Sequence, residues 1–282
     1  MFRPAFILLF LIYFLSITQA QEVTNYYAYR SFGQLAGSTN LLINDLNKDG
    51  LTEIIFSGQR ENADLVYVAN MRGRNIKPKW NSHTYAGDQK VAAILIYNVN
   101  QDDHDDILVI LKDGKTDVYD GLTLELVKTF ETGFSMCNRA VIGDADNDGF
   151  DDELIMISDS KTMVYDPVNE SIVWENTDFK GKEIKIGDVD GDNQHELVIG
   201  HKINQPGLVI DSKTQTIEWS FIQGFKENIE LSDINNDGAA EIFSISESGN
   251  VVVLNAKLKS PLFDFNRSRS LSSISLGRLL SL

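Results

Sequence analysis

Oxygen-bearing side chains recur in this chain at a spacing that suits a hard divalent cation. The densest copy is DADNDGFDDE at 144–153, and four others share its plan: DLNKDGLTE at 45–53, NVNQDDHDD at 98–106, DVDGDNQHE at 188–196 and DINNDGAAE at 233–241. Their first residues lie 53, 46, 44 and 45 residues apart, a near-constant period that marks an internal repeat. Position 1 is Asp45, Asn98, Asp144, Asp188 and Asp233; position 3 is Asn47, Asn100, Asp146, Asp190 and Asn235. Position 5 is always an aspartate (Asp49, Asp102, Asp148, Asp192, Asp237), and position 9 is always acidic (Glu53, Asp106, Asp152, Glu196, Glu241). Carboxylate and amide oxygens of this kind are the ligands Ca²⁺ prefers. Position 7 varies freely (Leu51, His104, Phe150, Gln194, Ala239), as expected where only a backbone carbonyl is offered.

Position 6 is Gly50, Asp103, Gly149, Asn193 and Gly238. Glycine, asparagine and aspartate are the residues that tolerate left-handed backbone, so the loop is expected to turn sharply there. An EF-hand needs an acid at position 12. Here position 12 is Phe56, Val109, Ile155, Ile199 and Ser244, inside apolar, β-prone runs, so a strand follows each loop rather than a helix. Counting acids at positions 1, 3, 5 and 9, the loops at 144 and 188 carry four each, those at 45 and 233 three, and that at 98 two. More ligand charge means tighter binding. Up to five Ca²⁺ sites are expected, with 144 and 188 strongest and 98 weakest; Asp151 and Glu153 are expected outside the ligand set.

The elements that must hold these loops follow the same period. After the strand behind each loop come a turn and a third apolar run: ADLVYVAN, KTDVYDG, KTMVYDP, PGLVIDS and GNVVVLN. A fourth run carries Trp80, Phe130, Trp174, Trp219 or Phe263, aromatics expected to pack between units. Four short strands in about 45 residues make a β-propeller blade. The fold class is therefore all-β, a β-propeller of four-stranded blades with a Ca-binding loop between strands 1 and 2. Five blades are visible, beginning near 38, 91, 137, 182 and 227, within a repeat region of 21–263.

The blades resemble FG-GAP and VCBS-type repeats, the calcium-bearing blades of integrin α-chain head propellers and of many secreted proteins. The shared motif is D-x-[DN]-x-[DN]-G-x-x-[DE], which the loops at 45, 144 and 233 match in full. The loop at 98 departs at Asn98 and Asp103, and that at 188 at Asn193. The resemblance covers roughly residues 25–263. It implies calcium as a structural ion and a binding or adhesion role, without naming a partner.

Composition narrows the function classes. With 282 residues, 43% of them hydrophobic, the chain can bury a core; its net charge of -16 disfavours nucleic acid and anionic membranes as partners. Residues 1–20 read as a signal peptide: Arg3, an apolar run Ala5 to Ile17, and Thr18-Gln19-Ala20 before a cleavage point. An uncleaved anchor is the other reading, but the run is short for a span, so a secreted, extracellular protein with no membrane insertion is expected. Cys137 is the one cysteine, leaving no internal disulfide, and reads as a small buried side chain. Asn169 and Asn266 open glycosylation sequons.

Phe32 and the segment NYYAYRSF fit a fourth strand supplied by the N-terminus to close a ring. ISLG at 274–277 matches the lead-in IKIG at 184–187, but Arg278 stands where an acid belongs. Residues 264–282 are thus either a disordered or capping tail or an incomplete sixth blade of a six- to eight-bladed ring, and truncation is the expectation. His83, His104, His195 and His201 are scattered, and no G-x-S-x-G occurs. The expected function is a binding or adhesion module for protein or glycan partners, not an enzyme. The alternatives are a polysaccharide hydrolase or lyase on a propeller scaffold, or a truncated fragment without function.

Overall fold

The structure is a computed structural model, and its described residues are 34–35, 41–72, 75–201, 205–226, 228–246 and 249–265. The expected signal peptide, the NYYAYRSF segment, Asn266 and ISLG lie outside them. Every regular element among the described residues is a strand. A short β1, Gln34–Leu35, pairs with the second strand of the first sheet.

Five antiparallel sheets follow one another along the chain. Sheet 1 holds β2 (Leu41–Asn44), β3 (Glu53–Arg60), β4 (Ala63–Arg72) and β5 (Asn75–Asn81), and sheet 2 holds β6 (Val91–Tyr97), β7 (Asp106–Leu111), β8 (Lys115–Tyr119) and β9 (Leu126–Glu131). Sheet 3 comprises β10 (Arg139–Gly143), β11 (Glu153–Ile157), β12 (Thr162–Asp166) and β13 (Ser171–Asn176). Sheet 4 comprises β14 (Glu183–Gly187), β15 (Glu196–Gly200), β16 (Gly207–Asp211) and β17 (Thr216–Phe221), and sheet 5 β18 (Ile229–Ser232), β19 (Glu241–Ile245), β20 (Val251–Asn255) and β21 (Ser260–Phe265). Each acidic loop joins strands 1 and 2 of its sheet, so a strand follows it as the apolar runs require. The first strands β2, β6, β10, β14 and β18 meet one another in chain order, the succession of blades in a propeller.

Side chains alternate along a strand, and the second strands use both faces. In β11, Leu154 and Met156 pack toward sheet 2 with Leu108, Ile110 and Phe130, while Ile155 and Ile157 pack toward sheet 4 with Ile184, Leu197 and Ile199. That explains continuous apolar runs such as ELIMI, which a half-exposed strand would not tolerate. Four such cores join the five sheets. Loop position 2 seals each one: Leu46, Val99, Ala145 and Val189 are buried there.

The end sheets keep comparable positions open. Leu41 and Ile43 on β2 are exposed, whereas Ile94, Ala140, Ile184 and Ile229, in register with Leu41, are buried. In sheet 5, Ile234 at loop position 2 and Phe263 are exposed.

The third strands share a bulge, after Val68, Val118, Val164, Val209 and Val253. Opposite these valines stand Trp80, Lys128, Trp174, Trp219 and Phe263. One aromatic expectation is therefore corrected. Phe130 sits two residues out of register, with Lys128 in its place; Phe130 is nonetheless buried and stacks on Tyr165 of sheet 3 at 5.5 Å. Trp80, Trp174 and Trp219 do pack against the inter-sheet cores. Cys137 is buried in the core between sheets 2 and 3, its Sγ 3.3 Å from the Arg139 carbonyl and its thiol pushed up to about 12 by burial.

Candidate metal centres

All five loops turn on one set of hydrogen bonds. The aspartate at position 5 uses Oδ1 to accept the N–H of position 7: Leu51, His104, Phe150, Gln194 and Ala239 donate to Asp49, Asp102, Asp148, Asp192 and Asp237 at 2.7–3.0 Å. In four loops the position 1 carboxylate takes the N–H of position 6 through Oδ2, as Gly149 does to Asp144 at 2.9 Å. Such local acceptors draw the backbone into a tight turn. In the loops at 45, 98 and 144 the oxygens of positions 1 and 3 also converge on the N–H of position 5.

The expected turn at position 6 is present in four loops, and a second one precedes it in all five. Position 4 is left-handed in every loop, at Lys48, Gln101, Asn147, Gly191 and Asn236, with φ from 53° to 81°. Position 6 is left-handed at Gly50, Gly149, Asn193 and Gly238, but Asp103 is not. Lysine and glutamine gave no hint of position 4, because the turn there is imposed by the hydrogen bonds on either side.

Strand register shows where each loop closes. The residue before each loop pairs with the acid that opens the next strand: Asn44 with Glu53, Tyr97 with Asp106, Gly187 with Glu196 and Ser232 with Glu241. In the loop at 144 the partner of Gly143 is Glu153, not Asp152. This loop therefore holds one extra residue between Phe150 and its closing acid. The closing acids share a second mark. Each accepts the N–H of position 2: Leu46 to Glu53, Val99 to Asp106, Ala145 to Glu153, Val189 to Glu196 and Ile234 to Glu241, at 2.8–3.3 Å. Glu153, expected outside the ligand set, holds the closing position, and Asp152 stands beside it. Asp151 accepts the Asp144 N–H at 3.1 Å.

Charge is concentrated where the acid count puts it. Asp144, Asp146 and Asp148 bring carboxylate oxygens within 4.8 Å of one another, as do Asp188, Asp190 and Glu196. Burial and neighbouring acids leave these groups short of compensation. Burial, then Asp190, Glu218 and Asp188, push Glu196 up to about 8 against the Val189 N–H. Glu153 is pushed up to about 8 by burial and by Asp152, which hydrogen-bonds to it. Asp146 and Asp190 are raised by burial and by Asp148 and Asp192 respectively. Asp233 is lowered: burial opposes, but N–H donors from Gly238 and its neighbours outweigh it.

Whether a cation fits is decided by oxygens that no protein donor reaches. Glu53 and Asp106 are almost wholly buried, and each has one carboxylate oxygen, Oε1 and Oδ1 respectively, without a hydrogen-bond partner; Asp152 Oδ1 is in the same condition. A buried carboxylate left so is costly unless a positive group meets it. The loops at 45, 98 and 144 thus fit a cation on this ground, and those at 144 and 188 on clustered charge. The loop at 233 answers its own need: Glu241 Oε1 accepts Asn235 Nδ2 at 2.8 Å and Asn255 Nδ2 at 3.3 Å.

Two partners of the loops were invisible in the motif. Glu218 on β17 has Oε2 buried without a partner and is raised by burial and by Asp190, Asp211 and Asp192. Asn147 reaches out of its own loop to sheet 4. Contacts between sheets also reach other loops: Ala240 N donates to the Asp188 carbonyl at 2.8 Å. A Cβ on Gly121, in the turn of sheet 2, would lie 1.9 Å from the Asp105 carbonyl oxygen and 3.3 Å from that of Leu46. The loops are therefore packed into the joints between blades.

Solved structures share this succession of four-stranded sheets. The chain superposes on the rhamnogalacturonan lyase YesW with a TM-score of 0.55 at 18% identity, covering 82% of this chain and 51% of that one. BBS1N in complex with ARL6DN gives 0.57 at 11% identity, covering 88% and 86%. The C-terminal WD40 domain of Sif2 gives 0.54 at 11%, covering 85% and 66%. The fold is a β-propeller. At these identities the likeness concerns the fold alone, and this chain spans about half the length of the lyases it matches. No protein-family model matches the chain, and no curated protein matches it in sequence. No helix among the described residues is long and apolar enough to cross a membrane.

Proposed function

We propose that this chain is a secreted, calcium-braced β-propeller of the FG-GAP/VCBS kind that binds an extracellular protein or glycan. The observation that carries the cation is the pair of buried, unpartnered oxygens on Glu53 and Asp106, at the closing position of two loops of a five-fold repeat. Calcium bound there would supply positive charge at the two oxygens that no protein donor reaches. Position 1, 3, 5 and closing side chains would hold it: Asp144, Asp146, Asp148 and Asp152 beside the closing Glu153 in one loop, and Asp188, Asp190, Asp192 and Glu196 in another. The role is a brace, because the loops lie in the joints between sheets.

Binding rather than catalysis is the proposal because the acids concentrate in these loops. The matched propellers include a protein complexed with another protein and lyases named for a polysaccharide, so both ligand classes belong in the test. Glycan and protein arrays probed with and without calcium address it. Calcium-dependent capture supports a binding module; turnover of a polysaccharide by the purified chain overturns it in favour of a lyase or hydrolase. Isothermal titration with calcium alone tests the brace, and absence of binding at every loop refutes it.

A further inference from the structure

Asn147 occupies position 4 of the loop at 144, between Asp146 and Asp148, with φ of 58°. Its side-chain amide crosses to sheet 4 with both ends engaged. Oδ1 accepts the His195 N–H at 2.6 Å, and Nδ2 donates to Ser212 Oγ at 3.1 Å. Ser212 Oγ in turn donates to the His195 carbonyl at 2.7 Å. The result is a closed cycle that grips both backbone groups of His195. His195 is flanked by Gln194, whose N–H is bound by Asp192, and by the buried closing acid Glu196. One side chain thus ties the middle of one acidic loop to the last turn of the next.

The tie is particular to this pair. Lys48, Gln101 and Asn236 hold the same position and the same left-handed backbone, yet among the described residues none makes a side-chain hydrogen bond to a following loop. Gly191 has no side chain to offer.

Resting on the calcium reading above, we propose that Asn147 couples the cation sites at 144 and 188. It acts as a positioning residue that contacts neither ion. A cation drawing Asp146 and Asp148 inward fixes the peptide planes around Asn147, and with them its amide. That amide holds His195, and so Gln194 and Glu196, in the arrangement the second cation requires. Coupling of this kind is reciprocal, so each filled loop tightens the other.

Calorimetric titration of the full chain with calcium alone tests the coupling. D188N/D190N identifies which heat belongs to the loop at 188. Disabling the neighbour with D144N/D146N/D148N is expected to weaken calcium at 188 by about five- to tenfold. Asn147→Gly removes the tie at a φ that glycine adopts freely, and is expected to produce the same loss. Combining the two sets of changes should lower the affinity no further than either alone. Ser212→Ala, which removes half of the cycle, should act in the same direction with a smaller effect. Calcium affinity at 188 that ignores both D144N/D146N/D148N and Asn147→Gly overturns the coupling while leaving the cation sites standing. Absence of calcium binding at every loop overturns the cation reading and the coupling together.

Discussion

Removing divalent cations should make this protein less stable at neutral pH than in mild acid. Glu196 is 1% exposed and pushed up to about 8 from an ordinary 4.5 by burial and by the acids around it. Its folded-state value lies above its unfolded one, so the native state holds a proton that the unfolded chain has released. Stability from that proton is complete below about pH 4.5 and drains away as pH rises toward 8. Between pH 5.5 and 7.5 the loss is about 2–3 kcal/mol for one such carboxylate, equivalent to roughly 5–10 °C in Tm for a domain of this size. Glu153, raised beside Asp152, works in the same direction. The lowered Asp120, Asp166 and Asp233 titrate below this window and do not mask it. His201, lowered by burial and Lys180, has the opposite sign, favouring the native state as pH rises. Glu196→Gln isolates the glutamate from it. The assay is thermal and urea unfolding, followed by tryptophan fluorescence, of metal-free protein at pH 5.5, 6.5 and 7.5, with and without calcium. Calcium should restore stability most at pH 7.5, and E196Q should flatten the metal-free profile by its share. Metal-free protein as stable at pH 7.5 as at 5.5, with E196Q unchanged, would refute the reasoning.

Three further outcomes are expected. Gly121→Ala would drive a Cβ to 1.9 Å from the Asp105 carbonyl oxygen, so it should lower Tm and weaken the loop at 98; unchanged unfolding would count against that close packing. Phe130→Ala, at a buried ring stacked on Tyr165, should cost about 3–5 kcal/mol. Ile222→Ala, at a side chain 89% exposed, should cost under about 1 kcal/mol, and equal costs in denaturant titrations would refute the difference in packing. Cys137, buried with its thiol raised to about 12, should resist a thiol reagent in the native protein and react once urea unfolds it.

The repeat was legible because its chemistry is local. Oxygen ligands two residues apart, a turn-forming position and an apolar run afterwards all fall within a dozen residues, and five copies expose the pattern. Strand order followed from the same spacing. Where local pattern misled, a single residue was enough: one insertion after Phe150 put Glu153 rather than Asp152 in the closing register, and an aromatic two residues away hid Lys128, the register partner of Val118. Residue type alone sees a suitable acid or ring within reach and cannot count the residues that a loop or bulge absorbs.

By itself, the sequence determined a five-fold series of acidic loops on four-stranded units, because ligand spacing and hydrophobic period are properties of neighbouring residues. Tertiary structure alone decided which carboxylate oxygens are stranded without a donor, which end-sheet side chains stay exposed, and that Asn147 grips His195. Those depend on groups 40 or more residues apart meeting at the joints between sheets, where burial and register, rather than residue type, set the partner.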